Sequence, residues 1–413
     1  MKWERAGLVG AAIGVVAAGA AAGVAIERAT VGRGMRRRAQ LALDAAGPYG
    51  SLRGTPGTVL AEDGTELYYE TDEPPPVPEP DDQPPAPPTR PARRGWLRGR
   101  RAEPGPGAGQ EADGAPRPPV TVVFSHGYCL SQDSWHFQRA LLRGTVRAVY
   151  WDQRSHGRSE RGRDQLAGKP ATIDQLGRDL KAVLDAAAPQ GPVVLVGHSM
   201  GGMTVMAFAD QFPEYVRERV AGAALISTSA GKLAAVTLGL PAFGARAFRV
   251  LAPGVLRVMG RQADLVERGR RATAELFTGV IKRYSFGADD VDPAVARFAE
   301  RLIEATPIDV VAEFYPAFTE HEKADALAVL DGSPVLVLAG EKDLLTPSAH
   351  SADIAERLPG AELVLVPGAG HLVLFERPEV VGPALATLIA KAADGVRAPV
   401  PQRLRDLTVP LDA

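Results

Sequence analysis

The stretch Val193-Val-Leu-Val-Gly-His-Ser-Met-Gly-Gly202 restricts what this chain can fold into more than any other. Four consecutive aliphatic residues suit a strand buried on both faces. They run directly into Gly197-x-Ser199-x-Gly201, after which Gly201–Gln211 carries a helical pattern. A serine between a strand and a helix must occupy a sharp turn, and small flanking residues let the chain bend there. Such a turn lifts the hydroxyl above the end of a sheet. The first turn of the new helix favours negative charge beside it. The Gly-x-Ser-x-Gly spacing alone recurs by chance; the strand before it and the helix after it make Ser199 a candidate nucleophile. His198 reads as packing beside it.

From Val120 onward short apolar runs alternate with helical patterns. The strand candidates are Val120–Phe124, Arg147–Trp151, Pro192–Val196, Ala221–Ile226, Pro334–Leu338 and Glu362–Val366. Helical patterns cover Ile173–Ala187, Gly201–Gln211, Ala352–Leu358 and Val380–Ala392. This alternation predicts an α/β fold with a mostly parallel central sheet flanked by helices. Upstream, two alternating runs within Thr58–Glu70 flank Asp63-Gly64 and predict a β-hairpin. About a hundred residues, 230–330, hold mainly helical pattern and no clear strand. An insertion there would form a helical lid, with Leu238, Phe243, Phe248, Leu251, Phe314 and Phe318 among its apolar residues.

The order of these elements and four motifs resemble the α/β-hydrolase fold superfamily, specifically its serine-nucleophile, lid-bearing, esterase- or lipase-like members. Gly197-His-Ser-Met-Gly201 is similar to that family's nucleophile turn. Phe124-Ser-His-Gly-Tyr128 resembles its loop after the third strand, which implies that the backbone N–H groups of Tyr128 and Met200 form an oxyanion hole. Asp152-Gln-Arg-Ser-His-Gly-Arg-Ser159 resembles its structural loop after the fourth strand, with Ser155 in place of the usual glycine. Leu338-Ala-Gly-Glu-Lys-Asp343 and Pro367-Gly-Ala-Gly-His371 fall where the family keeps its acid and its histidine. The resemblance thus implies Ser199 as nucleophile, His371 as base and Asp343 as the residue that orients the base, in the chain order used by this fold.

Competing assignments are few. No carboxylate occurs between Glu218 and Asp264, so an acid after the sixth strand is excluded. Glu341 precedes the expected strand end. His350 lies too early for the last strand, and His136, His156 and His321 belong to no catalytic motif. His321-Glu322 is followed by Asp325 where a zinc-binding helix needs its second histidine, so no metal site is expected. Cys129, the one cysteine, reads as packing. The chemistry needs no cofactor.

The N-terminal region differs in kind. Ala6–Ile26 is 21 residues without a charge, long enough as an apolar helix to cross a bilayer core of about 30 Å. Arg28, Arg33 and Arg36–Arg38 follow it, so the positive-inside rule predicts a single-pass membrane anchor with the catalytic domain cytoplasmic. A cleaved export signal ending near Ala20–Ala22, with an exported enzyme, is the alternative. The expected organisation is an N-terminal segment and basic flank (1–40), a first hairpin (51–73), a proline-rich disordered insertion (74–119), core (120–229), lid (230–330), core (331–395) and tail (396–413). The insertion holds 15 prolines and too few large apolar residues to bury a core. A net charge of −2 gives no reason to expect nucleic acid.

These features predict a serine hydrolase that cleaves a carboxylic ester through an acyl-enzyme, the apolar lid and the anchor favouring a lipophilic small-molecule substrate. Aspartate-nucleophile dehalogenation and epoxide opening are excluded by Ser199. Serine-dependent thioester, amide or C–C hydrolysis and perhydrolysis stay open. So does a non-catalytic binding protein on the same fold. Oligomeric state is not legible.

Overall fold

A computed structural model describes residues 49–74, 118–239, 254, 282–288 and 290–410. Eight strands form one sheet: β1 (Thr55–Leu60), β2 (Glu66–Asp72), β3 (Thr121–Ser125), β4 (Arg147–Trp151), β5 (Val193–His198), β6 (Val220–Ile226), β7 (Val335–Gly340) and β8 (Glu362–Val366). Their spatial order is β1-β2-β4-β3-β5-β6-β7-β8. β1 and β2 form the expected antiparallel hairpin, with Gly64 at φ +80° in its turn, and β2 runs antiparallel to β4. The remaining pairs are parallel. The principal helices are α1 (His136–Leu142), α2 (Ile173–Ala187), α3 (Met200–Gln211), α4 (Pro213–Arg219), α5 (Pro293–Glu304), α6 (Ile308–Glu320), α7 (Ser348–Arg357) and α8 (Pro378–Gly395).

The continuous apolar runs have a direct cause. Alternate residues of each central strand enter two different cores. Phe124, Tyr150, Val196, Ile226 and Leu338 pack on the face covered by α8, whereas Val123, Val149, Leu195, Leu225 and Val337 pack on the face covered by α2 and α3. Both faces being covered, neither alternate position can be polar. β8 departs from this rule. It is an edge strand, and Leu363 and Leu365 are 38% and 41% exposed. Its apolar run therefore marks a strand buried on one face only, not two.

Two arginines tie the antiparallel edge to the parallel core. Arg139 of α1 donates to both carboxylate oxygens of Asp72, at 2.8 and 2.7 Å, pairs with Glu70 at 2.9 Å and lies over the Tyr150 ring. Arg154, after β4, forks onto Asp179 of α2 at 2.5 and 2.6 Å and reaches Asp63 in the hairpin turn at 2.9 Å. Both arginines are buried, and planar guanidinium forks suit such bidentate pairing.

After β6 the chain leaves the sheet and returns close to where it left. Lys323 N–H donates to Ala230 C=O at 2.7 Å, Lys232 N–H donates to the Glu322 carboxylate at 2.8 Å, and His321 Nε2–H donates to Ser229 C=O at 2.9 Å. The helical parts of the described excursion are Leu233–Ala235, residues 282–285, α5 and α6; residues 236–239 are not helical, and most of 240–281 of the expected lid lies outside the described residues. Residues 396–410 pack on α8: Leu404 is buried, and Val409 exchanges backbone hydrogen bonds with the Thr387 hydroxyl. The apolar segment 6–26 and most of the proline-rich stretch lie outside the described residues. Among those described, no helix is long and apolar enough to cross a membrane.

Replacing Arg154 with methionine would strand the Asp63 and Asp179 carboxylates and should destabilise the fold by about 3–5 kcal/mol, read as a lowered urea midpoint. A loss under about 1 kcal/mol would show that the network does not hold the hairpin.

Candidate active site

Ser199 is the one-residue turn between β5 and α3, at φ +52° and ψ −115°. A non-glycine residue in this region is strained by about 1–3 kcal/mol and persists only where its surroundings over-determine it. They do so here. Ser199 N–H donates to Ile226 C=O at 2.9 Å, while its own C=O accepts from Gly202 N–H at 2.9 Å and from the Thr228 hydroxyl at 2.7 Å. A Cβ on Gly201 would overlap the Ser125 carbonyl. Only glycine lets the start of α3 press against the end of β3.

That approach sets two segments side by side. The loop His126-Gly-Tyr128 follows β3, and Met200 opens α3. The backbone N–H groups of Tyr128 and Met200 are engaged by no other described residue. The loop is braced from β4: Gln153 donates from Nε2 to His126 C=O at 2.6 Å and from its backbone to His126 Nε2 at 2.9 Å, while His126 Nδ1–H donates to Gly127 C=O at 2.7 Å. Gln153 Oε1 in turn accepts from the Thr204 hydroxyl of α3 at 2.7 Å.

The other two expected residues come from strand ends far apart in sequence. Asp343 follows β7 and His371 follows β8. His371 Nδ1 lies 2.8 Å from Asp343 Oδ2, and His371 Nε2 lies 3.0 Å from Ser199 Oγ. Asp343 also accepts from the backbone of Leu345 and Thr346, at 2.8 and 2.9 Å, and from the Thr346 hydroxyl at 2.8 Å. Burial alone would raise its pKa. The charge and hydrogen bond of His371 and the Thr346 bonds outweigh burial and hold the carboxyl below the usual carboxylate range. A carboxylate on Nδ1–H leaves Nε2 unprotonated and facing the hydroxyl, which is what proton removal requires.

The remaining histidines go elsewhere. His350 Nδ1 lies 2.8 Å from the Ser229 hydroxyl. His136 accepts from Gly50 N–H, and His156 packs edge-on to Phe314 of α6. His198 does more than pack. Its Nε2–H donates to the backbone C=O of His371 at 3.0 Å. Cys129 is buried, and burial pushes its thiol up to about 12, which leaves no useful thiolate.

Glu376 was not singled out by any motif. Its buried carboxylate accepts from Gly370 N–H, next to His371, at 2.5 Å, and from Gly287 and Ala288 N–H at 3.0 and 2.9 Å. One side chain thus ties the histidine loop to the excursion. An acid inside Leu372-Val-Leu-Phe-Glu376 was the only available sign. Tyr128 donates its hydroxyl to Val311 C=O in α6 at 2.5 Å and meets Phe318 at 4.9 Å between ring centroids. Met200, Leu233 and Phe314 complete an apolar cluster with them.

Comparison with known proteins agrees with this architecture. Residues 120–378 match the alpha/beta hydrolase fold family, and the chain belongs to that family. It is 26% identical over 271 residues to the dihydrolipoyllysine-residue acetyltransferase component of the acetoin cleaving system of Pseudomonas putida, covering 65% of this chain and 63% of that protein. It is 27% identical over 269 residues to a monoacylglycerol lipase of Mycolicibacterium smegmatis, covering 63% and 84%. Among solved structures it resembles the enol-lactonase of Burkholderia xenovorans, with a TM-score of 0.56 and 22% identity over 81% of this chain and all of that one.

Burial holds His126 and His198 down to about 3 and His156 and His321 down to about 4. A histidine whose folded pKa lies below its unfolded value of about 6.5 binds fewer protons folded than unfolded. Its contribution is complete above that unfolded value and is lost as pH falls toward the folded one. Asp152 and Glu313, pushed up by burial to about 6 and about 7, act in the opposite sense. His321→Gln keeps a donor for Ser229 but removes one titration. It should flatten the pH dependence of stability by about 1.4 kcal/mol per pH unit between about pH 6.5 and 4, measured as urea midpoints at several pH values. An unchanged slope would show that His321 already titrates normally in the folded chain.

Proposed function

We propose that this protein is a serine hydrolase acting on lipophilic carboxylic esters, with Ser199 as nucleophile, His371 as general base and acid, and Asp343 as the group that orients and stabilises His371. The observation that carries this reading is the unbroken line Asp343–His371–Ser199, with contacts of 2.8 and 3.0 Å. As Ser199 Oγ attacks the carbonyl carbon, His371 Nε2 takes its proton. The resulting imidazolium is stabilised by the Asp343 carboxylate. The oxyanion forms facing the N–H groups of Tyr128 and Met200 at the start of α3, where fixed donors need no reorganisation. His371 returns the proton to the leaving alkoxide, then activates a water that hydrolyses the acyl-enzyme.

Residues 230–330 serve as the lid in this reading, with Leu233 and Phe314 in one cluster with Met200 and Tyr128, and the many apolar residues of that stretch of sequence favour long acyl chains. The lipase relative at 27% identity is consistent with that preference. Residues 6–26 would anchor the enzyme to a membrane with the catalytic domain cytoplasmic. A chain lacking residues 1–40 should then keep its activity and stop sedimenting with membranes. Sedimentation unaltered by the truncation would remove the anchor from the proposal.

The central test is hydrolysis of p-nitrophenyl esters from acetate to palmitate. Activity should rise with acyl length, and Ser199→Ala should lower kcat by about 10⁴-fold or more. Residual activity near wild type in the variant would eliminate Ser199 as nucleophile. Cleavage of short polar esters alone would eliminate the lipophilic preference.

A further inference from the structure

We infer that His198 is a positioning residue, holding the backbone of the base His371 and the oxyanion loop in register with the nucleophile. The inference rests on the serine-hydrolase reading above and assigns a task to a side chain which that mechanism leaves unused.

His198 is the last residue of β5, directly before Ser199. It is 1% exposed. Three segments meet on its ring. On one side Nε2 lies 3.0 Å from the carbonyl oxygen of His371. A carbonyl only accepts, so Nε2 carries the proton and Nδ1 is bare. On the other side Nδ1 faces Gly127, where a Cβ would lie 2.7 Å away. Nδ1 has no hydrogen-bond partner among the described residues, and the loop glycine packs directly on it. The ring is further fixed by Trp135, perpendicular at 6.5 Å, and stacks at a tilt 5.1 Å from the His371 ring.

This arrangement constrains the base where Asp343 does not. Asp343 fixes the His371 ring through Nδ1. His198 fixes the peptide that carries that ring, and it does so from the strand that presents the serine. One rigid side chain thus bridges the peptide of the base directly to the strand end that carries the nucleophile, in addition to the bracing of the histidine loop by Glu376. The same ring limits how far the loop bearing the Tyr128 N–H can approach. Burial, and then the neighbouring His371 charge, hold its pKa down to about 3. His198 thus stays neutral while His371 becomes charged, and adds no like charge against the imidazolium.

The groups differ in reach, which makes the inference testable. A glutamine amide nitrogen reaches about as far as imidazole Nε2; an asparagine amide reaches only as far as Nδ1. Leucine fills the space and donates nothing. The experiment is the second-order rate at which a fluorophosphonate labels Ser199 in the full-length chain, measured from pH 5 to 9 for wild type and for His198→Gln, His198→Asn and His198→Leu. Labelling needs the activated serine but no knowledge of the substrate. The glutamine variant should label within about threefold of wild type, and the leucine and asparagine variants about tenfold or more slower, with the plateau lowered across the whole pH range. A leucine variant that labels as fast as wild type would show that His198 merely fills space. Should that variant fail to fold, equal rates for glutamine and asparagine would overturn the inference. A wild-type chain that does not label at any pH sinks the serine-hydrolase reading itself, and this inference with it.

Discussion

A serine forced to φ +52° between a buried strand and a helix dictates the spacing of everything around it. The strain of that turn is opposed from three directions: by β6 through the Ile226 carbonyl, by Thr228 just beyond β6, and by the first turn of α3. These partners come from a covered parallel sheet, and the sheet is held by the unbroken apolar runs of its central strands. The glycine that lets α3 touch β3 also brings the Met200 N–H beside the loop that ends in Tyr128. The sharp turn and the pair of backbone donors thus follow from one close approach, not from two separate features.

The site is also buried and sparing with charge. His126 and His198 flank it as neutral imidazoles, each with its tautomer fixed by a backbone carbonyl. Asp343 is held as a carboxylate by its neighbours despite burial. In the proposed mechanism, a proton moving to His371 creates a positive charge that meets one prepared negative partner and no competing cation among these imidazoles. Low local dielectric strengthens that pairing. The buried arginine forks lie at the far edge of the sheet and stabilise the scaffold without intruding on this balance.

Much of this was legible in the sequence because burial on both faces writes itself as unbroken apolar runs, and because the turn at Ser199 needs small neighbours at fixed spacing. The limits have physical causes too. Leu363 and Leu365 look like core residues in a five-residue run, yet an edge strand leaves one face open. Glu376 and Gln153 act through hydrogen bonds to backbone brought near by the fold, and no local period reports such a partner. His198 sits inside the clearest motif of the chain, but its acceptor lies 173 residues away. Segment 230–330 reads as helical, whereas the packing of Phe314 and Phe318 with Tyr128 depends on where α6 meets the loop after β3.

The paired ends of the excursion after β6 have a further meaning. Three hydrogen bonds join residues 229–232 to 321–323, so the intervening ninety or so residues start and finish at one point on the sheet. Closure entropy grows only slowly with loop length, and here the ends are already bridged by the scaffold. The sheet keeps its strand order across the junction, while Phe286, Val295, Phe298 and Ala299 of the excursion join the core on the α8 face. Such a junction works as a socket: the segment plugs into one place on the scaffold, and among the described residues it is then seated at Tyr128, His156, Arg161, Glu376 and the loop bearing His371.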